Sequence, residues 1–149
     1  MTHHDPFDIA RFIDAQSRCY AQVLSELRAG RKRTHWMWFI FPQLDGLGMS
    51  ATARHYAIRS LDEARAYLAH PLLGARLLEC TAIVNALEGL TAHDIFGSPD
   101  DLKFRSSMTL FELASEPPSV FTTALDNYFA GRPDQRTLEL LGLSPCRSR

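Results

Sequence analysis

Trp36-Met37-Trp38-Phe39-Ile40-Phe41 sets large apolar side chains in consecutive positions, directly after Arg31-Lys32-Arg33-Thr34-His35 and directly before Pro42-Gln43. A run this apolar belongs in a core, and burial obliges each backbone N–H and C=O within it to find a partner. As a strand it needs a neighbour to pair with, and no other segment of the chain offers a convincing one. As helical turns it satisfies its own backbone. The segment is therefore expected to be helical, a core element whose cationic edge lies at the surface.

The rest of the chain carries the same message. From Asp8 to Arg28 the apolar residues Ile9, Phe12, Ile13, Tyr20, Val23, Leu24 and Leu27 recur at helical spacing, interrupted only by Gln16. One long amphipathic helix stopped at Gly30 is expected. Ser50 is placed to cap a short helix through Tyr56, and Ser60-Leu61-Asp62-Glu63 reads as a capping box. His70-Pro71 separates that helix from the next, whose stripe is Leu73, Leu77, Cys80, Val84 and Leu87. Ser98-Pro99-Asp100-Asp101 opens another, with Phe104, Met108 and Phe111 as its apolar face and Glu116-Pro117-Pro118 as its stop. Phe121, Leu125 and Phe129 mark one more, and Leu138 and Leu141 a short last one. The expected fold class is all-α: a compact single-domain bundle of six to eight helices over residues 5–143, with 1–4 and 144–149 as flexible termini.

With 149 residues and 46% hydrophobic content, the chain is long enough to bury a core of its own. Sixteen basic residues against seventeen acidic ones leave a formal charge of -1, so no global field draws it to nucleic acid or to an anionic membrane. Cys19, Cys80 and Cys146 have neither paired nor metal-like spacing, which fits free thiols in a reducing compartment. The first residues show no basic region followed by an apolar run, and no apolar stretch approaches the roughly 18 residues of a membrane span. A cytoplasmic location is expected.

Residues able to do chemistry gather around the aromatic run. Arg31 and Arg33 can hold an oxyanion through paired hydrogen bonds, although cations also sit at a helix C-terminus for electrostatic reasons alone. His35 is the candidate for proton transfer, since its charge changes near neutrality, although such a histidine is more often a satisfied polar group at a core edge. Trp36 and Trp38, two apart on a helix, point in different directions, so one can anchor the core while the other is open to a ligand, although the favoured reading places both in the core. Gln43, after Pro42, can read a polar ligand edge, and Tyr56 and Lys103 complete the candidate set. Asp100-Asp101 is better explained by helix capping than by a charge site. Ser106-Ser107 would permit close approach of a backbone or ligand, but neither lies in a nucleophile-elbow motif. The six histidines lack zinc-ligand spacing, and no phosphate-loop or dinucleotide fingerprint is present. Neither a metal nor a cofactor is expected.

Three strings, Arg31 through Gln43, His70-Pro71-Leu72-Leu73-Gly74, and Ile95-Phe96-Gly97-Ser98-Pro99-Asp100-Asp101-Leu102-Lys103, resemble a family of small bacterial proteins of unknown function, some of whose members are labelled "calpastatin-like". The likeness runs from about Asp5 to about Leu143. It implies a wholly helical domain, partly similar to armadillo-type packing, and it carries over no catalytic residue. The order of the aromatic segment, Leu77-Leu78-Glu79-Cys80-Thr81 and Asp94-Ile95-Phe96-Gly97 also resembles helical hydrolases acting on N-glycosidic bonds of ribose-nucleotide derivatives. The glutamate–lysine arrangement of such enzymes has no clear counterpart here, so that likeness bears on ligand class alone.

Two functions from different classes follow as expectations. In the first, a pocket beside the motif binds a small anionic, nucleotide-like ligand, with Arg31, Arg33, His35, Trp36 or Trp38, Gln43, Tyr56 and Lys103 lining it; its enzymatic form is a hydrolase of ADP-ribose-type compounds. In the second, the domain is a non-enzymatic module whose helical groove takes a protein partner. The second needs an exposed apolar patch, for which Phe7, Leu47, Met49, Phe121 and Phe129 are the candidates.

Overall fold

A computed structural model describes residues 5–143. Its described part contains ten helices: α1 (Ala10–Ser17), α2 (Tyr20–Arg28), α3 (Met37–Ile40), α4 (Ala51–His55), α5 (Leu61–Ala69), α6 (Leu73–Ala86), α7 (Ala92–Phe96), α8 (Asp100–Leu113), α9 (Val120–Phe129) and α10 (Gln135–Leu140). The only pairing outside helices among the described residues is an isolated parallel bridge between Leu44 and Ile58. The all-α expectation holds, while the count exceeds six to eight for two identifiable reasons.

The first is a break in the expected long helix at Arg18-Cys19. Its two halves face different partners: α1 packs on α3, and α2 packs on α6. Gln16, the one interruption in the apolar stripe, is turned inward, where its amide donates to the Phe39 carbonyl at 2.7 Å and to the Tyr67 hydroxyl at 2.9 Å. A straight helix would not serve both directions. The second is α7, a single turn with a complete Thr91–Asp94 capping box, too short to show an apolar period.

Two of the expected caps are in place, while Ser98 does not cap α8, whose N-cap position is Pro99. Ser50 accepts from the Ala53 amide and Ser60 from the Glu63 amide, each at 3.0 Å. Glu63 departs from the reciprocal box: its carboxylate accepts from the Arg59 amide and from the Arg11 guanidinium instead. His70 does more than separate two helices, because its Nδ1 accepts from the amides of Leu72 and Leu73 at the start of α6.

Helix α8 is the axis of the packing. It touches α3, α5, α7, α9 and α10, and Ser106 through Phe111 are buried in succession. Around it Phe41 meets Phe104 and Phe96 edge to face, with centroids 5.0 and 5.9 Å apart, and Tyr67 meets Phe111 at 5.3 Å. Such pairs add to the apolar burial itself.

Helices α5 and α6 approach closely at Gly74, where a Cβ would collide with the backbone oxygen of Leu68. Backbone cannot give way as a flexible side chain can. Gly74→Ala is therefore expected to destabilise the fold by about 2 kcal/mol despite alanine's better helix propensity. The thermal midpoint should fall by roughly 4–8 °C, and an unchanged midpoint would contradict the close approach.

Candidate functional site

The motif between α2 and α3 is organised by a residue that its own sequence does not contain. Glu26, in the last turn of α2 and 3% exposed, accepts five hydrogen bonds. The donors are the Arg33 amide at 2.7 Å, the Thr34 amide at 3.1 Å, the Thr34 hydroxyl at 2.7 Å, the Trp36 indole N–H at 2.9 Å and the Gln22 amide at 2.8 Å. Burial alone would raise its pKa, but the Arg33 amide, Gln22, Thr34 and Trp36 together hold it down at about 2. Gly30, at φ 75°, makes the turn that sends the chain back along the helix. Glu26 lies on the buried stripe between Val23 and Leu27, and a carboxylate there was the available signal.

Lys32 is pinned from the other side. Its amide donates to the Ile95 carbonyl at 2.7 Å, and its ammonium reaches Asp100 at 2.9 Å while lying 5.2 Å from the Trp36 ring centroid. Asp100 also meets Lys103 at 3.2 Å, and the Lys103 ammonium lies 5.0 Å from the Trp38 ring centroid. Burial would raise the Asp100 pKa; Lys32 and Lys103 lower it below the ordinary carboxylate value. Asp100 thus bridges two lysines instead of capping the helix, whose N-cap position, Pro99, has no side-chain cap; Asp101 accepts only from the adjacent Leu102 amide.

This scaffold distributes the expected site residues over three surfaces. Trp38, Gln43 and Lys103 converge on a cleft of about 440 Å³ between the 44–50 loop and the start of α8, together with Leu47, Met49, Leu102 and Ser106. Arg31 and Arg33 are exposed and line a separate depression with Lys32. Tyr56 lies in a third, polar depression with Arg11, Asp14, Arg18 and His55. His35 is exposed and outside the cleft lining, and Trp36 is buried at 1% exposure. Trp36 lies in the core, whereas Trp38 is half-buried and lines the cleft, which departs from the expectation that both are core residues.

Ser106, at the cleft floor, donates to the Leu102 carbonyl and retains acceptor capacity, whereas the Ser107 hydroxyl is buried without a partner among the described residues. Cys80 is a buried thiol that desolvation pushes up to about 12, which leaves it protonated and unreactive. Cys19 is half-buried, and Cys146 lies outside the described residues. Among the described residues no cluster of three or more His, Cys, Asp or Glu side chains is placed to hold a metal, and no helix is long and apolar enough to cross a membrane. Of the apolar residues needed for a protein-docking patch, Phe121 is buried, Phe7, Leu47 and Phe129 are half-buried, and Met49 is exposed.

The fold is similar to the crystal structure of a conserved hypothetical protein from Mycobacterium tuberculosis, with a TM-score of 0.91 and 55% sequence identity over 94% of this chain and 100% of that one. No functionally curated protein matches it in sequence. A family model described as protein of unknown function (DUF1810) matches residues 6–141, and the chain belongs to that family.

Proposed function

We propose that this helical domain binds a small anionic ligand with a ring or apolar body in the cleft between the 44–50 loop and α8. One observation carries the proposal: Trp38, Gln43 and Lys103, which come from α3, the turn after it and α8, meet on a single concave surface. An aromatic face, an amide and an ammonium supply the apolar contact, orientation and charge that a small-molecule site needs, and the volume lies within the ordinary range for one. Among the described residues no hydrogen bond engages the Trp38 indole N–H or the Gln43 side chain, so both remain available to a ligand. Among the described residues the cleft lining carries neither carboxylate nor histidine. Binding is therefore better supported than acid–base hydrolysis of a glycosidic bond, which needs paired titratable groups at the reacting centre.

A thermal-shift screen against nucleotides, ADP-ribose and small organic acids tests the proposal. At least one anion should raise the midpoint, by an amount that grows with concentration as binding to the native state requires, and Lys103→Gln should diminish the effect. No stabilisation by any of them would sink the idea.

A further inference from the structure

We infer that the cleft is built for a monoanion, an apolar carboxylate, rather than for a nucleotide or other polyphosphate. The inference rests on the cleft being a ligand site and concerns its charge. Among the described residues Lys103 is the one cation in the lining. Its ammonium already faces Asp100 at 3.2 Å, and the second lysine on that carboxylate, Lys32, is 7% exposed and turned toward Trp36. Lys32, Asp100 and Lys103 together carry a single net positive charge. One carboxylate neutralises it, whereas a phosphate dianion leaves excess negative charge beside Asp100 in a half-buried, poorly screened place.

Among the described residues no further source of positive potential makes up the difference. The start of α8 adjoins the cleft, but three of its amides are occupied: Asp101 donates to the Gly97 carbonyl, Lys103 to that of Pro99, and Leu102 to both Pro99 and its neighbour's carboxylate. The dipole of that helix end faces Asp100 and Asp101, which already answer it. Arg31 and Arg33, the groups that would suit phosphates, line a different depression. What the cleft does offer besides Lys103 is neutral donors, the Gln43 amide and the Trp38 indole, and apolar walls from Leu47, Met49 and Leu102. A carboxylate held by Lys103 and Gln43, with an apolar body on the Trp38 indole and those walls, uses these groups.

The two indole N–H resonances make the test specific, since Trp36 is bonded to Glu26 inside the core and Trp38 faces the cleft. A 15N-labelled sample is titrated with 1-naphthoate, indole-3-acetate, AMP and ADP, on the wild-type chain and on Lys103→Gln and Arg31→Gln/Arg33→Gln. The carboxylates should shift the Trp38 indole and Gln43 side-chain signals and leave Trp36 in place. Lys103→Gln should weaken them by roughly tenfold or more, the value of one charge-assisted hydrogen bond. The double arginine variant should leave them unchanged. If AMP or ADP moves Trp38 and Gln43 at lower concentration than the carboxylates do, the charge inference is overturned and the cleft stands as a site. If anions bind but only arginine signals respond, or nothing binds, the cleft itself is refuted as the site and the inference falls with it. Because the wild-type titration reads the site directly, the result does not depend on Lys103→Gln folding.

Discussion

Arg11→Met is expected to destabilise the protein by about 3–5 kcal/mol, the cost of leaving a buried carboxylate without its partner, with a fall in thermal midpoint of roughly 10 °C or more. All five N–H groups of Arg11 are used. Nε donates to the His55 carbonyl at 2.8 Å, Nη1 to the carbonyls of Phe7 and Asp8 at 2.6 and 2.7 Å, and Nη2 to the Ala57 carbonyl and the Glu63 carboxylate, each at 2.8 Å. The ion pair is enclosed, with side-chain exposures of 5% and 1%. One guanidinium thereby ties the entry to α1, the end of α4 and the start of α5 together, and it helps hold Asp8 at φ 52°, a conformation few non-glycine residues adopt.

Lysine at this position retains the charge but offers three donors from a point, so Arg11→Lys should recover only part of the loss. Adding Glu63→Gln to Arg11→Met should also recover part of it, because the amide oxygen can still accept from the Arg59 amide while the uncompensated charge is gone. Urea unfolding of the three variants decides the matter. A cost below about 1 kcal/mol for Arg11→Met would show that the pair is worth no more than a surface contact.

What the sequence made legible follows the range of each interaction. Ser50 and Ser60 cap where expected because a cap is settled within three residues. Periodicity placed the apolar stripes, yet it could not show that the two halves of the first helix face α3 and α6, so the break at Arg18-Cys19 was invisible. Asp100 carries a good local explanation as a helix-starting carboxylate, and that explanation concealed its partner Lys32, which only the folded chain brings to 2.9 Å. The same limit applies at the site. Residue type marked Trp38, Gln43 and Lys103 individually, but their convergence depends on α3 packing against α8. Arg31, Arg33 and His35 lie apart from them on the chain that turns at Gly30 and folds back on Glu26, whose bonds to residues seven to ten positions on carry no periodic signal.

Glu26 supplies the other large expected effect, and its pH dependence gives a signature that packing alone would not. Its pKa is about 2 in the folded protein against an ordinary 4.5. A depressed carboxylate pKa stabilises the fold above the unfolded value and ceases to do so as the pH falls through the folded one. The contribution should thus be complete above about pH 5, shrink between about 4.5 and 2, and be gone below that. The shift corresponds to about 3 kcal/mol. Glu26→Gln should cost a similar amount at pH 7, since an amide offers one acceptor oxygen where the backbone of Arg33 and Thr34, the Thr34 hydroxyl and the Trp36 indole require two, and its NH₂ opposes the donors it faces. Asp5 and Asp94 are also held low by their caps and contribute their own acid sensitivity, but they are common to both proteins and cancel in the difference. The gap in urea midpoint between wild type and Glu26→Gln should therefore close as the pH is lowered from 5 toward 2. A gap that stays constant over that interval would mean that the carboxylate's shape, and not its charge, is what anchors the motif, and the Trp36 indole resonance, expected to move in the variant, would then report a purely steric loss.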